Sequence, residues 1–205
     1  MPVKYLVETA SQTAGPFLHI GMVPSAIGLK TPDLAGSVLA TPETKGQHIR
    51  VEGYVIDGAG TPVKDALIEL WQANADGGYN HPADTQKKAI DPAFSGFGRA
   101  ATDFKTGLYW FQTVKPGRVM GRDGRLMAPH LNLAVCARGI NIHLNTRMYF
   151  SDEAAANAED PVMALIEQPA RRDTLIARRS EKKKTVVYRF DIVLQGANET
   201  VFFDI

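Results

Sequence analysis

Residues 48–56 read His-Ile-Arg-Val-Glu-Gly-Tyr-Val-Ile, and the character of the side chains alternates along this stretch. One side of it carries Ile49, Val51, Gly53 and Val55, and the other carries Arg50, Glu52, Tyr54 and Ile56. A period of two places successive side chains on opposite faces, as in a strand with one buried face. The stretch therefore predicts a half-buried β-strand.

The rest of the chain repeats this pattern in short pieces. Six further runs rich in β-branched and aromatic residues are predicted as strands: 66–71, 108–114, 131–137, 144–150, 186–194 and 201–203. Turn dipeptides such as Asp57-Gly58 and Pro116-Gly117 separate several of them. Short strands joined by glycine-rich turns predict a mainly β protein built as an antiparallel β-sandwich.

One segment departs from the β pattern and predicts a short helical insertion at about 151–180. Residues 151–158 begin with a capping serine and two acids and continue into alanines, which favours a helix. Asp160-Pro161 is predicted to open a second helix that ends at Pro169. Residues 171–184 then hold seven Lys or Arg and two Asp or Glu. This stretch predicts a solvated surface or an interface with an acidic partner; a polyphosphate or nucleic-acid patch is the weaker alternative.

The N-terminal segment combines flexible composition with apolar side chains. Its first forty residues are rich in Gly, Pro, Ser and Thr, yet they include Phe17, Leu18, Ile20, Met22 and Val23. Exposing such a cluster to water is costly, so residues 1–45 are predicted to form an arm that packs on the core and on a partner chain. A loop that covers its own sandwich fits the composition equally well. Residues 46–205 are predicted to form the sandwich domain.

Composition excludes several classes of protein. The 205 residues carry 23 Lys and Arg against 22 Asp and Glu, a net charge of +1, which provides no field to attract a polyanion. The single cysteine, Cys136, rules out an internal disulfide. The chain shows neither a signal-peptide pattern nor an apolar run long enough for a membrane span, so a cytoplasmic location is expected.

Individual residues give only weak indications of chemistry. Cys136 lies in an apolar strand, where a structural thiol is the expected role, and we reject it as a nucleophile. His130-Leu131-Asn132 has the spacing that puts two metal ligands on one strand face, but an amide is a poor ligand. A lone strand histidine is more often structural. Tyr79 follows a glycine turn and could present a phenol or simply pack.

Taken together, the blocks of the sequence resemble the intradiol dioxygenase family. The matching blocks, in family order, are Leu70-Trp71-Gln72-Ala73, Gly77-Gly78-Tyr79, Phe97-Gly98-Arg99, Thr113 to Gly117, Ala128-Pro129-His130 and Arg147 to Phe150. No single block is decisive, but the ordered set is specific. The resemblance implies a prealbumin-like β-sandwich core. It also implies non-haem Fe(III) bound by two tyrosinates and two histidines.

The resemblance assigns these four metal-ligand positions to Tyr79, Val119, His130 and Asn132. Two of them, Val119 and Asn132, have lost their donors. Met127 also stands where the family has an arginine, and Arg147 where it has a glutamine. Fe(III) is a hard acid that needs anionic oxygen donors, and a nearby guanidinium would repel it. We therefore expect no iron and no catalytic residue in this chain, and treat the four positions as vestigial.

The resemblance further implies a role for the chain within a complex. Members of this kind pair with a beta chain that holds the iron, in a higher-order alpha–beta hetero-oligomer. The alpha chain is implied to line the pocket for 3,4-dihydroxybenzoate through Thr13, Gly15, Pro16 and Arg138. The cation of Arg138 would favour the ring carboxylate, and the glycine would allow close approach of the ring. Without the resemblance, Arg138 would be read as an ordinary surface charge.

Two alternatives stay open on the sequence alone. The chain could be a self-sufficient ferric catechol dioxygenase that uses unconventional ligands such as His81 or His143, although His143 lies beyond the Gly139 turn. It could also be a non-enzymatic, transthyretin-like module used for binding or assembly.

Overall fold

The computed structural model describes residues 10, 12–30 and 35–204. Their strands are β1 (His48–Ile56), β2 (Leu67–Trp71), β3 (Phe97–Ala101), β4 (Leu108–Val114), β5 (His130–Cys136), β6 (Leu144–Phe150), β7 (Ile176–Lys182), β8 (Thr185–Arg189) and β9 (Ile192–Val193). Their helices are α1 (Leu18–Met22), α2 (Ala154–Glu159) and α3 (Pro169–Arg172). Three 3₁₀ turns cover Pro24–Ile27, Met163–Leu165 and Asp173–Leu175.

Eight strands follow one another in a single sheet in the order β3-β2-β5-β6-β7-β8-β1-β4, and β9 pairs with β1. The two end strands, β3 and β4, also contact each other, so the sheet nearly closes into a barrel. The prediction of a mainly β protein is confirmed. On β1 the predicted buried face is confirmed, since Ile49, Val51, Gly53 and Val55 are all buried, but Glu52 on the opposite face is buried too.

The purely antiparallel arrangement is not confirmed. Strand β1 is parallel to β8 and β9, and β6 is parallel to β7. The remaining pairings are antiparallel. Alternation of side chains shows which face of a strand is buried, but not which strand it pairs with. The helical segment after β6 returns the chain to the same end of the sheet, and a parallel pair needs such a crossover.

The structure corrects the boundaries of the helical insertion. Its helical part runs from α2 to the 3₁₀ turn that ends at Leu175, and the next residues form β7 rather than belonging to the insertion. The helix expected after Asp160-Pro161 is a single 3₁₀ turn. Pro169 does not end a helix but starts α3, because a proline at the first helical position loses no hydrogen bond.

The hydrophobic core lies between the walls of the curved sheet. Its largest fully buried side chains include Ile68, Leu70, Tyr109, Phe111, Leu131, Leu133, Met148, Phe150 and Tyr188. A smaller cluster of Ala128, Tyr149, Ala156, Met163 and Leu175 attaches the helical insertion to the outside of β6. One face of β5 and β6 packs in the core. The opposite face of both strands lies beneath the insertion and is available to form a site.

Within residues 10, 12–30 and 35–204, no helix is long and apolar enough to cross a membrane. The division into an arm (1–45) and a domain (46–205) stays a prediction, and residues 1–9, 11 and 31–34 of that arm lie outside the described residues. In its described part, α1 buries His19 completely. The arm also reaches the core, where Leu39 and Ala40 are buried.

Candidate functional site

The pairing of three strands builds one patch of chemically active side chains. Trp71 on β2 is opposite Asn132 on β5, and Asn132 is opposite Arg147 on β6. Two residues earlier on β5, His130 is opposite Tyr149. Because residues two apart on a strand share a face, His130 and Asn132 both point away from the core. The patch therefore collects an imidazole, an amide, a guanidinium and two aromatic rings.

The loop after β2 brings Tyr79 onto this patch. The side-chain oxygen of Asn74 accepts hydrogen bonds from the amides of Asp76 (3.0 Å) and Gly78 (2.9 Å), which fixes the turn. The amide of Tyr79 then donates to Asp84 at 2.7 Å. The Tyr79 ring stacks on Trp71, with centroids 5.6 Å apart and planes 11° from parallel.

A cavity of about 1020 Å³ opens over the patch. Tyr79, Val119, His130 and Arg147 all line it, and Asn132 lines an adjoining cavity of about 400 Å³ together with Trp71 and Arg147. Three of the four positions that the resemblance assigns to metal ligands therefore line one cavity, and the fourth, Asn132, lines the adjoining one. His81 also lines the larger cavity, with its ring edge against Trp71. His143 is not among the lining residues.

The ionisation of the site is set by burial and by Arg147. His130 is almost fully buried, which together with the charge of Arg147 lowers its pKa to about 4. Its Nδ1 lies 2.8 Å from the carbonyl oxygen of Ala128, which can only accept, so the neutral ring carries its proton on Nδ1. Burial raises the pKa of the Tyr79 phenol, which Arg147 and Asn132 offset only in part. Tyr79 is therefore a neutral phenol at physiological pH.

These residues do not fit ferric iron. Val119 supplies no donor atom, Asn132 supplies only a neutral amide, and the Tyr79 phenol resists becoming a phenolate. The guanidinium of Arg147 is close enough to lower the pKa of His130, so it would repel a metal cation bound there. Over residues 10, 12–30 and 35–204, no group of three or more His, Cys, Asp or Glu could hold a metal ion.

A buried carboxylate, which sequence analysis missed, anchors the floor of the site. Asp160 is completely buried. Its oxygens accept hydrogen bonds from the amides of Ala128 (2.7 Å), Val162 (2.9 Å) and Met163 (2.9 Å) and from the hydroxyl of Tyr149 (3.0 Å). The sequence predicts only that Asp160-Pro161 opens a helix; it does not show that the Asp160 carboxylate joins the insertion to β5 and β6.

The residues implied to line a substrate pocket are grouped elsewhere. Thr13 accepts a hydrogen bond from the amide of Gly139 at 2.9 Å, which places it beside Arg138. Arg138 pairs through Nε with Asp65 at 2.9 Å, while 67% of its side chain stays exposed. Gly15 and Pro16 follow Thr13 along the chain, and a Cβ added at Gly15 would meet no atom within 4 Å. Cys136 ends β5 half-buried, and burial raises the pKa of its thiol, as expected for an inert cysteine.

Comparison with known proteins identifies the class of protein that has this fold and this arrangement of side chains. The profile of the family described as Dioxygenase matches residues 31–196. The chain belongs to the intradiol dioxygenase family. It is 51% identical over the full length of both chains to the protocatechuate 3,4-dioxygenase alpha chain of Pseudomonas putida.

Two further comparisons extend this result. The protocatechuate 3,4-dioxygenase beta chain of Burkholderia cepacia is 37% identical, over 82% of this chain and 73% of its own. Among solved structures, 3-chlorocatechol 1,2-dioxygenase from Rhodococcus opacus 1CP superposes with a TM-score of 0.59 at 18% identity, over 93% of this chain and 69% of its own. That likeness concerns the fold.

Proposed function

We propose that this chain is the iron-free alpha subunit of a cytoplasmic protocatechuate 3,4-dioxygenase. In the proposed complex, a beta chain of the same fold binds Fe(3+). The complex cleaves 3,4-dihydroxybenzoate (protocatechuate) with O2 between the two hydroxyl-bearing carbons, giving 3-carboxy-cis,cis-muconate in the β-ketoadipate pathway of aromatic catabolism. The observation that carries the proposal is the pair Val119 and Arg147. These two side chains place an isopropyl group and a cation in the cavity, while the surrounding scaffold is that of the family.

The alpha-chain relatives support this assignment over a self-sufficient enzyme. The alpha chain of Burkholderia cepacia is 42% identical to this chain over 98% of both, against 37% over a shorter span for the beta chain of the same organism. Of the unconventional ligands considered, His81 uses Nδ1 to accept the amide hydrogen of Ala83 at 3.1 Å, and His143 does not line the cavity.

Iron analysis of the separately purified chain tests the first part of the proposal. We expect less than about one iron per ten chains, and none of the visible absorption that tyrosinate-to-iron charge transfer gives, because too few anionic donors meet here. The beta chain purified in the same buffers serves as the positive control. Stoichiometric ferric iron in the isolated alpha chain, or turnover of catechols by it, would favour the self-sufficient alternative.

The second part of the proposal is that Thr13, Gly15, Pro16 and Arg138 form a wall of the substrate pocket in the complex. Support comes from the contact of Thr13 with Gly139 and from the ion pair that orients Arg138. Asp65 occupies one edge of the Arg138 guanidinium, and 67% of the side chain is exposed, so other N–H groups stay available to a ligand. A carboxylate in the pocket would accept hydrogen bonds from them.

Arg138→Ala in the alpha–beta complex is expected to raise the KM for 3,4-dihydroxybenzoate by about 10- to 100-fold, because a hydrogen bond to a charged group contributes about 1.5–3 kcal/mol. The kcat should change little, since the interaction is made equally in the ground and transition states. Steady-state kinetics measures both constants. Arg138→Lys should retain part of the affinity.

Arg125→Ala is the matched control, because Arg125 is also an exposed arginine paired with a nearby carboxylate, Asp123 at 2.7 Å. An unchanged KM in the Arg138→Ala complex would contradict the proposal that Arg138 lines the substrate pocket. If the chain also proved dispensable for dioxygenase activity, the non-enzymatic binding module would be the better description.

A further inference from the structure

The geometry points to Asp65 and His19 as positioning residues for Arg138: Asp65 holds its guanidinium, and His19 links Asp65 to the N-terminal arm. The inference rests on the proposed pocket-wall role of Arg138, which it deepens by naming the two residues that set where this cation stands. Three observations carry it: an ion pair, the fixed backbone beneath that pair, and buried polar atoms that still need partners.

The ion pair between Arg138 and Asp65 joins an exposed side chain to a nearly buried one. Nε of Arg138 lies 2.9 Å from Oδ2 of Asp65, and 67% of the arginine side chain is exposed, against 12% for the aspartate. An exposed arginine on its own samples many rotamers, whereas a nearly buried carboxylate has lost most of that freedom. Asp65 is therefore the fixed partner, and its hydrogen bond selects the arginine rotamer that leaves other N–H groups open to a ligand.

The backbone that carries Asp65 is held from the neighbouring strand. The next residue, Ala66, is fully buried; its amide donates to Oγ1 of Thr102 at 3.0 Å, and its carbonyl oxygen accepts from the Thr102 amide at 3.0 Å. Arg138 lies instead in the turn after β5, just before Gly139 with its φ of 88°. The place of the guanidinium is therefore set through Asp65 by the start of β2 and the end of β3.

His19 is the buried group of the arm that interacts with Asp65. Its side chain is completely buried on α1, and the centroid of its ring lies 4.8 Å from that of Phe104. Burial lowers the pKa of His19, and the charge of Asp65 opposes this only in part. The ring is therefore neutral at physiological pH and keeps one N–H as a donor.

The polar atoms of His19 and Asp65 complement each other. Both ring nitrogens of His19 and Oδ1 of Asp65 are buried without a hydrogen-bond partner among residues 10, 12–30 and 35–204. Buried polar atoms in proteins are nearly always hydrogen-bonded, directly or through an ordered water. The N–H of His19 is accordingly assigned to Oδ1 of Asp65, by direct contact or through one water. Asp65 then uses one oxygen for the arm and the other for Arg138.

This arrangement gives the arm two connections to the proposed pocket wall. Thr13 accepts the amide hydrogen of Gly139, directly beside Arg138. His19 reaches the same arginine through Asp65. Because hydrogen bonds weaken steeply when their angle departs from linearity, holding the guanidinium in place matters for its contact with a ring carboxylate.

Steady-state kinetics of the alpha–beta complex tests the role of Asp65. We expect Asp65→Ala to raise the KM for 3,4-dihydroxybenzoate about 3- to 10-fold and to change kcat less than about twofold, since the guanidinium is kept but no longer held in place. Asp65→Asn still offers Nε an acceptor and should stay within about twofold of wild type. Asp123→Ala is the matched control, because Asp123 holds Nε of Arg125 in the same way, at 2.7 Å, and it should leave the KM unchanged.

A double-mutant cycle separates positioning from general damage to the fold. In the Arg138→Ala background, Asp65→Ala should raise the KM by less than about twofold, because no guanidinium is left to position, whereas structural damage would act equally in both backgrounds. His19→Leu should raise the KM about 2- to 5-fold when Asp65 is present and less than about twofold in the Asp65→Ala background. His19→Gln keeps an N–H and should retain most of the affinity.

An unchanged KM in the Asp65→Ala complex, beside the expected rise in Arg138→Ala, would overturn this inference and leave the proposed function standing. Equal effects of Asp65→Ala in both backgrounds would overturn it too, and a wild-type KM in His19→Leu would contradict the role of His19. An unchanged KM in Arg138→Ala contradicts the pocket wall itself, so the two failures are distinct. If Asp65→Ala does not assemble with the beta chain, Asp65→Ser, whose hydroxyl is too short to reach Nε, carries the same expectations.

Discussion

Gly53→Ala is expected to leave no soluble, folded protein. A Cβ at position 53 would overlap the backbone carbonyl of Phe190 and press against the ring of Tyr109. Real Cβ atoms do not approach backbone this closely, and no side-chain rotation can relieve the overlap. Relief would require moving the link between β8 and β9, which would break two hydrogen bonds: Phe190 N–H to the carbonyl of Glu52 (2.9 Å) and Tyr109 hydroxyl to the carbonyl of Phe190 (2.6 Å).

The expected loss exceeds about 4 kcal/mol, which is comparable with the whole stability of a marginal domain. Soluble yield and thermal unfolding followed by circular dichroism measure it. Gly21→Ala is the matched control, because a Cβ there meets nothing within 4 Å and alanine favours the helix α1. If Gly53→Ala unfolded within a few degrees of wild type, the close approach of β1 and the β8–β9 link would be refuted.

Asp160→Ala is expected to lower the free energy of unfolding by about 3–5 kcal/mol, since it leaves three buried donors and one partly buried donor without their acceptor. Those donors lie just before β5, on β6 and in the insertion. Loss of the Asp160 carboxylate should therefore also loosen the floor of the cavity beside His130. Urea unfolding measures the change, and hydrogen exchange at Met163 locates it.

Two variants calibrate this result. Asp160→Asn keeps one acceptor oxygen and should cost less than the alanine variant. Tyr149→Phe removes a single hydrogen bond and should cost about 1 kcal/mol. An alanine variant no less stable than Tyr149→Phe would mean that the insertion is not held by this carboxylate.

Sequence reasoning predicts this fold best where a strand has one buried and one exposed face. The bounds of β1, β4 and β6 match the predicted runs at both ends. Buried and less buried residues alternate along much of β1 and β4, whereas β6 ends in three consecutive buried residues and is indicated by its aromatic and apolar composition. Strand β7 was missed because nearly all of it is exposed and its residues are polar, so hydrogen bonding to β8 and not burial makes it a strand. Residues 201–203 are apolar, but only Phe203 forms a bridge, to Asn145.

Some features of the site can likewise be identified from the sequence, whereas others depend on contacts between distant parts of the chain. The family resemblance assigns the positions Tyr79, Val119, His130 and Asn132 from the sequence, whereas the placement of three of them in one cavity and of Asn132 in the adjoining one needs the strand register. The contact of Thr13 with Gly139 spans 126 residues, and no local pattern signals it. Likewise, the burial of His130 and the low pKa that it causes are properties of the assembled surroundings. Only the fold shows them.

Because β1 pairs with β8, one edge of β1 has to wait for its partner strand during synthesis. A ribosome adding about 5–20 residues per second needs roughly 7–27 s between the first residue of β1 and that of β8, at 48 and 185. Through that interval β1 can pair with β4, but its other edge, which in the finished protein is covered along residues 49–52, stays open to water and to other chains. The nascent chain is therefore exposed to mispairing and aggregation along this edge until β8 has been synthesised, and a chaperone present during that interval should raise the yield.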